Sequence, residues 1–350
     1  MKAEEKKKFL IIGGGLAGIT LSHRLLNRNQ QVTLIDDGLN ASTKIAAGMV
    51  NPIVFRRTTL SWRATEFLTY SWDFYKSLEK QLNTTFAEPF LIKRIFPSVN
   101  EKEEWQKKQL LPAYQNHLVN IESANMEQNF GIVRSGYFVH AEKFYIENLR
   151  HFEKLGILIK ETFDDNSFSV LESTYRGIKY DHIVFCCGYR VSETSYFEDC
   201  QVKPTKGQTL VIKHQELPEA ASLHLKCFVF PMGNKTFRIG ATYEWENSTL
   251  NPTQEARNTL LDHLQHITKT PPEIISQPVG IRPTTMDRRP VLGSHATYKT
   301  VHVFNGLGAK GYLLAPKMAQ EMVGYLLDNI PIPKDYNLIR YQTDDELNRK

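Results

Sequence analysis

The sequence predicts an α/β protein of two domains, a doubly wound dinucleotide-binding unit carrying an inserted sheet-rich (α+β) domain, and three observations predict it. A strand, a glycine-rich turn, a helix and a second strand follow one another at the start of the chain. Residues 201–277 switch to alternating apolar runs broken by turn residues, the texture of hairpins. The length of 350 residues exceeds what most single cores span.

The first unit is "FLIIGGGLAGITLSHRLLNRNQQVTLIDDG". Phe9–Ile12 read as a strand, and Gly13, Gly15 and Gly18 keep G-x-G-x-x-G spacing. Leu16, Ile19, Leu21, Leu25 and Leu26 recur at helical spacing, and a second strand ends at Asp36, with Asp37 beside it a further candidate cofactor contact. Gly13 permits the tight turn, Gly15 lets backbone approach a pyrophosphate, and Gly18 lets the helix pack on the strand. The helix start at Leu16 and Ala17 offers N–H groups to that phosphate, and Asp36 is placed to accept from a ribose hydroxyl. These residues bind a dinucleotide and leave FAD or NAD open.

Next comes "GLNASTKIAAGMVNP", small residues through which backbone can approach a flat ligand. Ser42, Thr43, Ala47, Gly48 and Met49 are its candidate contacts. Residues 61–82 carry an apolar stripe at helical spacing, which reads as core. "EKEEWQKKQLLPAY" reads as an exposed helix. "GYFVHAEKFYIENLRHFEKLGILIKETF" gives a strand, an amphipathic helix and a strand. "YDHIVFCCG" is a fully apolar strand ending at Gly188, which would extend the parallel sheet. The hairpin-like strands "KGQTLVIK", "LKCFVFPMG" and "KTFRIGATYEW" come after it, with one helix N-capped by Thr253. The dinucleotide domain is expected at 1–85, 136–200 and 278–345, and the substrate domain at 86–135 and 201–277. The polar tail after Pro333 is expected to fray.

Composition excludes several classes. With 41% hydrophobic and 23% charged residues the chain is not disordered throughout, and its net charge of +5 is scattered, so nucleic acid is not the expected partner. No window approaches the roughly 18 apolar residues of a membrane span. Cys186, Cys187, Cys200 and Cys227 lack metal-type spacing and read as buried, reduced thiols, so no metal site and a cytoplasmic location are expected. His140 and His302 have no partner evident from spacing.

Residues 279–327 gather a Gly-x-Arg-Pro at Arg282, an Asp-x-x-Pro at Asp287 and the loop "NGLGAKG" before a helix. With "IIGGGLAG", "STKIAAGMVNP", "GYFVHAEKFYIENLR", "VFCCG" and "KGQTLVI" in this order, the chain resembles the D-amino-acid oxidase/glycine oxidase family of FAD-dependent oxidoreductases. The resemblance implies non-covalent FAD held at both ends. Gly306, Gly308, Ala309, Lys310, Gly311 and Tyr312 would approach the flavin pyrimidine, where a helix N-terminus suits the charge of reduced flavin. Lys310 is expected to face solvent, an ion pair with reduced flavin being the alternative. Asp287 would lie near the ribityl and phosphate region or bond local backbone, with Gly293 allowing close passage. Arg282 would grip a substrate carboxylate, with Tyr243 as a hydroxyl contact and Phe230 and Trp245 as walls. The implied reaction is hydride transfer from a small amine or amino acid to flavin N5, giving an imine that hydrolyses, with oxygen or another acceptor reoxidising the flavin. It requires no strong general base. Two alternatives are a modified tRNA uridine side chain as substrate and a non-catalytic flavin-binding protein.

Overall fold

The structure is a computed structural model that describes residues 6–39, 42–119 and 129–341. Among these, a six-stranded sheet runs in the order Leu158–Ile159, Gln31–Ile35, Lys8–Ile12, His182–Phe185, Val301–Asn305, Val291–Ser294. All neighbours are parallel except the last pair. The parallel extension expected of "YDHIVFCCG" is present, Ile11 pairing with Val184. Side chains alternate across this sheet as strand geometry requires. Phe9 and Ile11 enter the core beneath the helices, and Leu10 and Ile12 enter a second core with Phe185 and Val202.

Helices Leu16–Asn27, Ala64–Leu82, Ala141–Lys154 and Gly311–Asp328 cover one face. The last contains Pro316, which cannot donate to the carbonyl of Tyr312. The Tyr75 hydroxyl from the second of these helices donates to that oxygen at 2.8 Å. An interior proline is thereby tolerated, and helix 64–82 is fixed against helix 311–328.

The nine-stranded second sheet has Val202–Lys213 as its spine. Thr236–Gly240, Glu244–Trp245, Glu273–Ser276 and Val279–Thr285 all pair with it antiparallel. The helix expected here spans Gln254–Leu264, and Thr253 Oγ1 accepts from the Ala256 N–H at 3.3 Å. Three expectations are corrected. The domain boundary at 278 cuts this sheet, because Val279–Thr285 is hydrogen-bonded along the spine rather than to the dinucleotide unit. The exposed helix is Val99–Gln109, but Trp105 on it is wholly buried against Phe96. The tail does not fray at Pro333: Tyr336 and Leu338 are buried, and residues 342–350 lie outside the described ones.

Candidate active site

A cavity of about 760 Å³ receives residues from both sheets, a size suited to a small-molecule site. Gly13, Gly15, Leu16, Ala17, Asp36, Ser42, Thr43, Ala47, Gly48, Met49, Gly188, Gly308, Ala309, Gly311 and Tyr312 line it, so most of the sequence-predicted set converges. Two loops about three hundred residues apart border one space because strand 301–305 lies beside strand 182–185, which lies beside strand 8–12.

The lining fits FAD on its own evidence. Two helices begin at the cavity, at Leu16 and at Gly311, and in neither does the residue before the helix cap it with its own side chain, so two positive helix ends meet one space. A Cβ added to Gly308 would meet no protein atom within 4 Å, and one added to Gly15 would meet only Thr43 Oγ1 at 3.3 Å. The backbone at both loops is therefore open to a ligand. The small-residue loop is held in place from three sides. Thr43 Oγ1 accepts from the Leu16 N–H at 3.1 Å, the Tyr312 hydroxyl donates to Thr43 O at 2.8 Å, and Arg238 Nη1 donates to the carbonyls of Ile45 and Ala46 at 2.5 and 3.0 Å. Gly48, at φ +68, passes so close to the Val139 carbonyl that a Cβ would overlap it.

Asp36 borders the cavity, with Oδ1 accepting from the Gly14 N–H at 3.1 Å and Oδ2 from the Tyr145 hydroxyl at 2.9 Å. Burial raises its pKa above the ordinary carboxylate value, and these two bonds offset part of that rise. Asp37 turns away from the main cavity into a bidentate pair with Arg190, at 2.7 and 3.0 Å, beside a smaller cavity of about 220 Å³.

At the opposite wall stands Arg282, projecting from strand 279–285. Its guanidinium lies over the Tyr243 ring at 4.4 Å and gives one bond of 3.3 Å to Thr242 O. Burial lowers its pKa from the ordinary value, yet no carboxylate pairs with it among the described residues. An unpaired, half-buried cation bordering a cavity is a site for an anion. The guanidinium lies across Gly207 on the neighbouring strand, where an added Cβ would fall well inside 3.0 Å of Cζ and both Nη atoms. Gly207, Gly240 and Gly280 all line the cavity, so the sheet floor is stripped of side chains there. Sequence reading missed these three, and also missed Arg94, His224 and Phe228 in the lining and Arg238 behind it. The signal available was a lone glycine inside each of three strand patterns.

Other expected residues lie elsewhere. Asp287 is engaged by Arg340 Nε at 2.8 Å and by the Arg289 N–H at 3.0 Å, and is outside the lining. Gly293 gives passage to Leu338, not to a ligand. Gly306 and Gly18 act in packing, the latter against the Gly13 carbonyl. Lys310 is half-buried rather than facing solvent: its ammonium donates to Asn51 O at 2.8 Å, and burial lowers its pKa to about 8. Phe230 is core, against Phe90 and Phe138, and Trp245 is 47% exposed outside the lining. His302 is buried in a hydrogen-bonded chain with His182 and Ser294, and His140 meets Glu88 at the surface. All four cysteines are free, and burial pushes the Cys187 thiol up to about 12, well away from thiolate chemistry. Among the described residues no helix is long and apolar enough to cross a membrane.

Known proteins share this fold. The chain is 18% identical to iminodiacetate oxidase from Chelativorans sp. BNC1, with a TM-score of 0.75 over 95% of this chain and 98% of that one. It is 18% identical to glycine oxidase from Geobacillus kaustophilus, with a TM-score of 0.75 over 96% and 98%. It is also 22% identical over 395 aligned positions to the tRNA 5-methylaminomethyl-2-thiouridine biosynthesis bifunctional protein MnmC of Leptospira borgpetersenii, covering 95% of this chain and spanning 59% of that protein's length. Residues 8–324 match the family described as DAO, FAD dependent oxidoreductase. The chain belongs to this family of FAD-dependent oxidoreductases.

Proposed function

We propose that the protein oxidises the C–N bond of an amine that carries a carboxylate, a glycine-like unit whose nitrogen is primary or secondary. The observation that carries this reading is Arg282, a half-buried guanidinium with no acidic partner among the described residues, bordering the same cavity as the glycine loops. Guanidinium and carboxylate match in a two-bond fork, and a desolvated fork fixes both position and orientation. Gly207 leaves room for that fork, and the Tyr243 ring lies against it at 4.4 Å.

The cofactor would be held by the helix start at Gly15–Ala17, by Thr43, Gly48 and Met49, by Gly188, and by the second helix start at Gly308–Tyr312. When bound, FAD supplies a two-electron acceptor for hydride from the amine-bearing carbon, and water then hydrolyses the resulting imine to the amine and an oxo acid. The chain's own part is to orient the substrate by its carboxylate and to exclude competing geometries. No side chain has to act as a strong base, because an amine that binds neutral needs only alignment. Asp36 would accept from the cofactor's ribose alongside its two protein donors.

An anaerobic titration of the FAD-loaded protein with glycine, sarcosine, proline and D-amino acids tests this reading. Loss of the oxidised flavin bands with one of them, abolished in Arg282→Leu while FAD stays bound, is the expected result. Readmitting air then shows whether oxygen is the acceptor. A second reading draws on the relatives named for tRNA 5-methylaminomethyl-2-thiouridine biosynthesis, a name that includes a secondary amine. Under it the amine is borne on a tRNA base, and bleaching by bulk tRNA but by none of the free amino acids would favour it.

A further inference from the structure

Tyr145 lies outside the cavity lining, yet its hydroxyl donates to Asp36 Oδ2 at 2.9 Å while Oδ1 accepts from the Gly14 N–H at 3.1 Å. A carboxylate offers about four acceptor positions, so one donor on each oxygen fixes its plane and still leaves each oxygen a position for a ribose hydroxyl. Both donors are themselves held. Gly14 is not required by the G-x-G-x-x-G pattern, but a Cβ on it would fall 2.8 Å from both Cβ and Cγ of Asp36. Tyr145 stands on helix Ala141–Lys154, where Asn148 Oδ1 accepts from His23 Nε2 of helix Leu16–Asn27 at 2.5 Å. The phenol is thus tied to the helix that opens the cofactor site.

The charge on Asp36 is set by opposing influences. Burial and the neighbouring Asp37 raise its pKa, and the Gly14 N–H, the Tyr145 hydroxyl and Arg190 lower it. These groups face it from strand 31–35, the glycine turn, helix 141–154 and the segment after strand 182–185. Arg190 is already committed to Asp37 through two bonds of 2.7 and 3.0 Å, which leaves Tyr145 as the side chain that bonds Asp36 directly. Burial and the Asp36 charge raise the pKa of the phenol, so it remains a donor.

We infer that Tyr145 is a positioning residue for FAD, aiming the Asp36 carboxylate at the adenosine ribose from behind. It touches neither cofactor nor substrate, and the inference is independent of which amine is oxidised. A proton on Asp36 removes an acceptor that the ribose needs, so cofactor affinity falls in acid. Without the Tyr145 hydroxyl that fall begins at higher pH, because one of the bonds favouring the ionised form is gone.

The test titrates FAD into the apoprotein between about pH 4 and 8, reading dissociation constants from flavin fluorescence, for the native chain, Tyr145→Phe, Asp36→Asn and the double variant. Tyr145→Phe is expected to bind FAD about tenfold more weakly at neutral pH and to begin its acid loss about one pH unit above the native chain. Asp36→Asn should flatten that part of the profile. Adding Tyr145→Phe to it should then cost no more than about twofold further, since residues that act through one contact are not additive. A Tyr145→Phe profile that superimposes on the native one overturns the inference. So does a tenfold loss that persists in the Asp36→Asn background, because the ring would then serve only the packing of helix 141–154. Phenylalanine keeps that packing, and a urea midpoint lowered enough to account for the lost affinity would overturn the inference as well.

Discussion

Gly207→Ala tests the carboxylate anchor without touching it. The added methyl would overlap the Arg282 guanidinium, inside 3.0 Å of three of its atoms, whereas ordinary contacts lie at 3.4–4 Å. The obstruction is the far end of a flexible side chain, so the fold survives and the guanidinium moves, by about 1 Å or more. A displacement of that size can cost roughly 100-fold in a positioned reaction. Losing a charge-assisted hydrogen bond, worth about 1.5–3 kcal/mol, gives a similar range of about 10–150-fold. The assay is steady-state and single-turnover kinetics with the best carboxylate-bearing amine, alongside FAD content and a urea midpoint. KM should rise by one to two orders of magnitude with FAD content unchanged and the midpoint nearly so. Native KM in Gly207→Ala would refute the reasoning, because the guanidinium could not then occupy its present place and still be the anchor.

Arg238→Met should free the carbonyls of Ile45 and Ala46 and weaken FAD binding by about tenfold or more, read by fluorescence on reconstitution of the apoprotein. Tyr75→Phe should cost about 1–3 kcal/mol in denaturant unfolding, because the Tyr312 carbonyl opposite Pro316 loses the hydroxyl that substitutes for the missing N–H. Lys310, with a folded pKa of about 8 below its ordinary 10.5, makes the unfolded state bind more protons between those values, so stability should rise from pH 8 toward 10 and do so less in Lys310→Met. His23, His182 and His224 are held near 3, 4 and 3 by burial, below the ordinary 6.5. Acid should therefore destabilise the protein from pH 6.5 downward, approaching about 1.4 kcal/mol per pH unit for each histidine. A urea midpoint that is flat between pH 7 and 5 would contradict this.

Local patterns made much of the fold legible. The spacing of Gly13, Gly15 and Gly18 and the apolar run through Phe185 announced the parallel sheet, and Thr253 announced a helix. Arg282 was found because its motif stands in a recognisable order with the two glycine loops. What stayed hidden depends on partners far away in sequence. Nothing near Asp287 indicates that Arg340 will claim it, and nothing near Lys310 points to the carbonyl of Asn51. Gly207 looks like any weak point in a strand until the guanidinium from residue 282 is laid across it. The boundary at 278 failed for a related reason, since hydrogen bonding along Val202–Lys213 leaves no local mark in Val279–Thr285.

The two helix starts that share one cavity belong to segments translated far apart in time. At roughly 5–20 residues per second, translation separates Gly15 from Gly311 by about 15–60 s. During that interval strand 182–185 lacks its neighbour 301–305, and the apolar side of helix 16–27 has no helix 311–328 against it. The nascent polypeptide thus carries half a cofactor site and an uncovered greasy surface while the ribosome is still at work. A flavin can be held by both loops only once Gly311 has been translated and strand 301–305 has docked.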